Sequence, residues 1–210
     1  MSDTRVKLHD VRITFPKLFA GQEEMFNNKG DPYYSASFLL AAGHPDLPAL
    51  KAAIVAAATA KWGAKAQDML KEFQIKDKLP IHDGALKASK PYGEAYKGMM
   101  YVSARNNART NPSIVVFDNC LDPATGQTRI VPSPADAHAP YSGSFGNVIL
   151  NVFGYSRDGG MGVGASLVGY QFVKDGERLA GGETASADDF APIVPEKGEA
   201  AAKQGAASLF

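Results

Sequence analysis

The sequence predicts a mainly β fold, a small and strongly coiled barrel interrupted by a helical insertion and followed by a disordered C-terminal tail. Three observations predict it. The stretch from Tyr141 to Gly176, YSGSFGNVILNVFGYSRDGGMGVGASLVGYQFVKDG, reads as two long strands joined at Ser156-Arg157-Asp158-Gly159-Gly160, whose glycines accept positive φ. Its return strand carries Gly162, Gly164 and Gly169, and that much glycine in a strand signals bulges, coiling or close backbone approach. By contrast, Leu47, Leu50, Ile54 and Ala58 fall near helical spacing, and the chain beyond Gly181-Gly182 has no apolar periodicity.

Taken in order, residues 5–15 alternate as a first strand that Pro16 ends, with Val11, Ile13 and Phe15 on one face and Asp10, Arg12 and Thr14 on the other. Residues 20–32 are a polar loop rich in turn formers. A second strand follows at 33–40, with Tyr34, Ala36, Phe38 and Leu40 sharing one face. Asp46 then caps the main helix, Pro48 suits its first turn, and Gly63 stops it. A second short helix spans about 64–73, and Trp62 is read as its anchor on the barrel rather than as a stacking residue. Met99 to Ala104 form a third strand and Ser113 to Phe117 a fourth; Asp118 to Gln127 form a loop, Thr128 to Val131 a short strand, and 132–140 an extended Pro-rich run.

Within the hairpin the first strand has two unlike faces. Gly146, Val148, Leu150, Val152 and Gly154 make a small aliphatic face suited to a core. Phe145, Asn147, Ile149, Asn151, Phe153 and Tyr155 make an aromatic–amide face, where each buried amide needs partners. That face suits flat ligands such as unpaired bases, or it is the second side of a core strand. Residues 76–109 interleave Tyr92, Tyr96 and Tyr101 with Lys76, Lys78, Lys87, Lys90, Lys97, Arg105 and Arg109, against only Asp77, Asp83 and Glu94. Cations attract phosphates and rings present a surface to bases; the plainer reading is a solvated loop with scattered lysines.

Composition narrows the classes. A chain of 210 residues with formal net charge zero is one domain with elaborations, not a histone-like polycation. The single Cys120 forms no intramolecular disulfide and fits a reducing cytoplasm. The polar start MSDTRVKLHD is no signal peptide, and no apolar run is long enough to span a bilayer. No catalytic constellation emerges. His9, His44, His82 and His138 are far apart and are read as surface or structural residues. Gly93 to Gly98 lacks the Lys-Ser/Thr of a phosphate loop, Gly160 to Gly164 lacks the third dinucleotide-fingerprint glycine, and Tyr141 to Ser144 is no nucleophile elbow. The tail from 183 to 210 sets Glu183, Asp188, Asp189, Glu196 and Glu199 against Lys197 and Lys203, so it is net acidic and the rest net basic.

Short strands, a helical insertion, PIHDG and PYGEAYKG, then YSGSFGNVILNVFGYS, then GMGVGASLVGYQFVKDGERLAGG and DDF succeed one another. In this order the chain resembles the single-stranded-DNA-binding proteins of tailed bacteriophages. The resemblance covers nearly the whole chain before the tail, and its sharpest parts are the YSG…N…N…Y strand and the return strand running into VKDGERLAGG…DDF. It implies a five-stranded OB-fold barrel over 1–182 with a helical insertion at about 45–73, and a flexible tail over 183–210. It implies sequence-independent binding of single-stranded DNA in phage replication and recombination, in the cytoplasm of the infected host. It implies no enzymatic activity, cofactor or metal, no membrane, and a homodimer.

With the resemblance, Lys87, Lys90, Lys97, Arg105 and Arg109 are the candidates to face phosphates, and Tyr33, Tyr92, Tyr96, Tyr101, Phe153 and Tyr155 to stack on bases. Asn147 and Asn151 bond base edges or fix their strand. In the tail, Asp188, Asp189, Phe190 and Phe210 are candidates to meet a phage polymerase or another replication protein. The alternative is a structural virion protein of jelly-roll type, which shares the strands and glycines but needs no convergence of cations with exposed rings.

Overall fold

The computed structural model describes residues 4–19, 24–25, 31–110, 115–121, 128–132, 140–157 and 160–179. Eight strands and two α-helices make up the described chain: β1 (Arg5–Lys17), β2 (Tyr33–Ala41), α1 (Leu47–Trp62), α2 (Ala66–Ile75), β3 (Ile81–Asp83), β4 (Met99–Asn107), β5 (Val115–Leu121), β6 (Thr128–Pro132), β7 (Phe145–Arg157) and β8 (Gly160–Lys174). Strand order in the sheet is β3-β4-β2-β1-β7-β8-β5-β6, and an added pairing of β4 with β8 closes β1, β2, β4, β8 and β7 into a ring. Four of the ring's contacts are antiparallel; the closing one is parallel, at Arg105 opposite Ser166. Next to that seam the Asn106 carboxamide donates to the Leu167 carbonyl at 2.8 Å, so a side chain extends the short pairing.

The core lies inside the ring and continues under the helices. Tyr34, Ala36, Phe38 and Leu40 of β2, Val102 and Ala104 of β4, Val148, Leu150 and Val152 of β7, and Val163, Ala165 and Leu167 of β8 are all buried, as period-two alternation requires. The aliphatic face read from β7 is therefore the inner one. In β1 the inward set changes parity, from Val6 and Leu8 to Val11 and Ile13. A bulge resets it: the register with β7 shifts between Leu8 and Val11, and Asp10 has φ 48°. The Asn147 carboxamide oxygen accepts from the Asp10 amide at 3.0 Å and holds the bulge.

The expected alternation fails again at Phe15. The strand runs through Pro16 to Lys17 rather than ending there, with φ 50° at Phe15 and a register shift against β2. Phe15 leaves the core row and packs edge-on against Tyr92, with ring centroids 4.6 Å apart. Thr14, assigned to the polar face, is buried because the Tyr96 hydroxyl covers it at 2.8 Å.

Leu47, Leu50, Ile54 and Ala58 of α1 are buried, as the spacing predicts, and Gly63 ends the helix with φ 56°. Asp46 stands at the N-cap, but its side chain caps nothing. Its carboxylate instead accepts from the His9 backbone amide at 2.7 Å and lies 2.9 Å from His9 Nδ1. Burial raises that carboxyl, but the His9 amide and ring, with His44 beyond, outweigh it and hold the group below the usual carboxylate range. Trp62 anchors the insertion: its ring packs 5.1 Å from that of Phe73 and against Gly154 of β7.

Three bounds differ from expectation. β4 continues to Asn107 because β2 pairs along its whole length, as far as Tyr33 opposite Asn107. The three residues of β3 join the edge of β4, a pairing too short to show as a pattern in sequence. The expected loop at 118–127 begins as strand, since Asp118 to Leu121 pair with Thr128 to Val131. Its residues 122–127 lie outside the described residues, as do most of the 20–32 loop, the 132–140 run beyond Pro132 and before Pro140, and His138. The separate unit Gly181–Phe210, with Asp188, Asp189, Phe190 and Phe210, also lies outside them.

Candidate nucleic-acid interface

Register alone assembles a strip on the outer surface of the ring. Across β2 and β4, Tyr33 faces Asn107, Ser35 faces Arg105, Ser37 faces Ser103, and Leu39 faces Tyr101. The seam carries the strip from Arg105 to Ser166, and β8 carries it to β7, where Asn151, Phe153 and Tyr155 lie opposite Ser166, Gly164 and Gly162. Tyr33 and Tyr155, which are far apart in sequence, thus share one face because the ring closes.

At one end of the strip an open cleft of about 450 Å³ is lined by Asp31, Pro32, Tyr33, Arg105, Asn106, Asn107, Phe153, Arg157 and Ser166. The Arg105 guanidinium lies over the Tyr33 ring, 4.9 Å from its centroid. That contact orders the arginine while leaving its donors exposed. Phe153 is 39 % exposed, a large apolar ring beside Arg105, Asn106, Asn107 and Arg157 in the cleft. Tyr155 follows it, ring centroids 6.5 Å apart. Arg157, the last residue of β7, has no ion pair among the described residues. Arg109 reaches the same end but is held by Asp31 at 2.8 Å, and Asn107 donates to the other oxygen of that carboxylate. Glu24 also leans on the strip, accepting from the Ser35 hydroxyl. The predicted residues Tyr33, Arg105, Arg109, Phe153 and Tyr155 are therefore brought together.

The remaining predicted aromatics form a different group. A segment of two 3₁₀ turns, Gly84–Lys87 and Gly93–Tyr96, folds over the far end of the same strip. Tyr96 is fully buried and Tyr101 is 6 % exposed; with Leu39 they make a small second core, and Tyr92 packs on it. Their rings interlock, Tyr92 to Tyr96 at 5.9 Å and Tyr96 to Tyr101 at 5.5 Å, while His82 stacks on Tyr101 at 4.8 Å. Tyr96 and Tyr101 are therefore corrected from stacking candidates to buried residues: alternation puts Tyr101 on the outer face of β4, but the covering segment, which carries Tyr96, closes over it. Burial pushes both phenols up.

Lys87 belongs with them. Its ammonium lies 4.3 Å from the Tyr101 centroid and 5.2 Å from that of Tyr96, and desolvation lowers its pKa. Its half-buried amine thus lies against the rings of the covered cluster rather than in the cleft's lining. Lys97 pairs with Glu94, and Lys90 is exposed away from the cleft's lining.

Both asparagines make hydrogen bonds within the protein. Asn147 spends its oxygen on Asp10 and its amide on the Gln171 side chain at 2.8 Å, and the Asn151 oxygen accepts from Thr4 at 3.1 Å. Sequence reading missed Arg157 and Asn106 as site residues. It also missed the glycines opposite Phe153 and Tyr155, although counting outward from the hairpin turn gives that register.

A family model described as Enterobacter phage Enc34, ssDNA-binding protein, matches residues 4–202. Protein p50 of Acyrthosiphon pisum secondary endosymbiont phage 1 is 34% identical over 191 residues, which cover 89% of this chain and 92% of p50. The solved structure of the single-stranded DNA-binding protein from bacteriophage Enc34 in complex with ssDNA aligns with a TM-score of 0.55 at 20% identity, over 84% of this chain and 90% of that one. Gp2.5, a single-stranded DNA binding protein encoded by bacteriophage T7, aligns at 0.50 and 14% identity, over 94% and 98% of the two chains. At such identities the structures speak for the fold, whereas the family match spans nearly the whole sequence: the chain belongs to the Enc34 family of phage single-stranded-DNA-binding proteins.

Proposed function

We propose that the protein binds single-stranded DNA with little sequence preference, with bases stacking on Tyr33, Phe153 and Tyr155 and phosphates meeting Arg105 and Arg157, while Arg109 is held by Asp31. The observation that carries the reading is the cleft where the rings of β2 and β7 converge with Arg105 across the closed seam. Aromatic stacking accepts any base, at about 1–3 kcal/mol each, and arginines on the rim neutralise phosphate and release counterions. The finer fold reading supports it. A five-strand ring closing in the order β1-β2-β4-β8-β7 is read as an OB barrel, in which the second and third strands, with the loops joining strands one to two and four to five, bind oligonucleotides. Here those are β2 and β4, and the cleft is lined by Asp31 and Pro32 of the first loop and by Arg157, the last residue of β7 before the second.

In phage replication and recombination, within the infected host, such a protein covers single strands as they are exposed. Stacking needs unstacked bases, so a duplex offers no purchase for these rings. Binding of labelled oligo-dT and of a duplex of equal length, each across a salt series, tests the reading. Tighter binding of the single strand, falling steeply with salt, is expected. Equal affinity for both forms rejects it.

A further inference from the structure

We propose that Gly164 positions Phe153 for base stacking: it is the floor that lets the phenyl ring lean along the barrel surface with its outer face free. The proposal rests on the single-strand reading above. Gly164 lies directly opposite Phe153 in the β7–β8 ladder. A Cβ built at Gly164 would lie 3.1 Å from Phe153 Cζ and 3.4 and 3.5 Å from the two Cε atoms. The far edge of the ring therefore occupies the space a side chain at 164 would take.

Backbone geometry does not explain this glycine. Gly164 is absent from the residues with positive φ, which are Gly63, Gly98, Gly143 and Gly160 among the described glycines, so its strand conformation is open to any residue. Glycine inside a strand loses stability relative to a β-branched residue, yet it stands in the middle of β8. What requires it is the ring opposite. Gly162, opposite Tyr155, is less clear-cut, because the Lys78 carbonyl crowds its Cβ position as closely as the tyrosine hydroxyl does.

Packing does not explain Phe153 either. The ring points away from the core and is 39 % exposed, at the edge of a cleft containing Arg105 and Arg157. An exposed phenylalanine ordinarily samples several rotamers, and stacking on a base would have to select one. A ring already resting on the backbone at 164 has less freedom to lose, which is the gain of preorganisation. A β-branched side chain at 164 would lift the ring off the sheet and turn it out of the plane in which it meets a base.

The experiment compares the full chain with Gly164→Val, Phe153→Ala and the double variant. Each is titrated with oligo-dT and with an abasic oligonucleotide of the same length at one salt concentration, and each is melted. Valine suits a strand, and its melting temperature is expected to stay at or above the wild-type value. Gly164→Val is expected to weaken oligo-dT binding by roughly five- to a hundredfold, the range of one lost stack, and to leave abasic binding unchanged. The double variant is expected to bind oligo-dT no worse than Phe153→Ala. Normal oligo-dT binding by Gly164→Val, equal losses on both oligonucleotides, or losses that multiply in the double variant overturns the proposal. Should valine unfold the chain, Gly164→Ala displaces the ring by only a few tenths of an ångström. It is then expected to give a smaller loss confined to oligo-dT, and no loss rejects the assignment. Failure of the wild type to bind oligo-dT would reject the single-strand reading itself, a distinct result.

Discussion

Two tyrosines on the outer face of the ring illustrate how a covering segment decides a residue's role. Tyr33 and Tyr101 both point outward by register, but only Tyr101 lies beneath the 84–96 segment, with Tyr96 and Lys87 upon it. Tyr96→Ala is expected to destabilise the fold by about 3–5 kcal/mol, the usual cost of removing a large buried ring. Tyr33→Ala is expected to leave the melting temperature nearly unchanged and to weaken oligo-dT binding. Denaturant melts alongside oligo-dT titrations separate the two; normal stability in Tyr96→Ala would return that ring to the binding surface. Asp31 gives a third test, because it holds Arg109 where a phosphate would otherwise sit. Asp31→Asn is expected to tighten oligo-dT binding and steepen its salt dependence by about 0.7 in the log–log slope, one extra phosphate contact. A weaker complex would mean the ion pair serves the site.

The same cluster predicts an alkaline signature. Lys87 has a folded-state pKa below the usual lysine value, so between the two values the unfolded chain holds a proton that the folded chain has released. Stability therefore rises with pH through that window. Tyr96 and Tyr101 have raised values, so above about pH 10 their unfolded phenols ionise first and stability falls. Removing the lysine by Lys87→Met is expected to abolish the rise while keeping the fall. Melting temperatures at closely spaced pH values from 7 to 11 read both limbs; wild-type and variant curves that run parallel would refute the lysine's part.

At the scale of elements, the strands were legible where one face met the core and illegible where irregular backbone or distant pairing intervened. The β7 faces and the buried row of β2 follow directly from alternation, and α1 follows from its spacing and its terminal glycine. The bulges at Asp10 and Phe15 were hidden, because an added residue changes the parity of every side chain after it. The site was half legible. Tyr33, Arg105 and Phe153 could be named from residue type, but their meeting depends on one parallel pairing between β4 and β8, which no local pattern encodes. That pairing is short enough for Asn106 to matter: its bond to the Leu167 carbonyl is a side-chain rung beside the seam. Asn106→Ala is expected to cost about 1–3 kcal/mol, the penalty for stranding a buried polar group, and to speed amide exchange in β4 and β8 near the seam. Exchange increased evenly over the whole ring, or not at all, would show that the carboxamide does not hold the closure.

For the whole molecule, the formal charge of zero conceals an uneven distribution along the chain. Residues 183–210 carry Glu183, Asp188, Asp189, Glu196 and Glu199 against Lys197 and Lys203, which leaves the preceding residues net basic. A tethered acidic segment repels a polyanion at long range, without any particular contact, and the repulsion fades once ions shorten the screening length to about 10 Å at 0.1 M. Truncation after Gly182 is therefore expected to tighten oligo-dT binding several-fold at about 20 mM salt, chiefly through faster association, and to leave it nearly unchanged at about 0.5 M. Its melting temperature is expected to match that of the full chain, since residues 183–210 have no apolar periodicity to bury. Stopped-flow association rates across the salt series provide the check. A truncated chain that binds with unchanged rates at low salt would reduce the tail to a passive appendage, and one that binds more weakly would assign it contacts with the DNA itself.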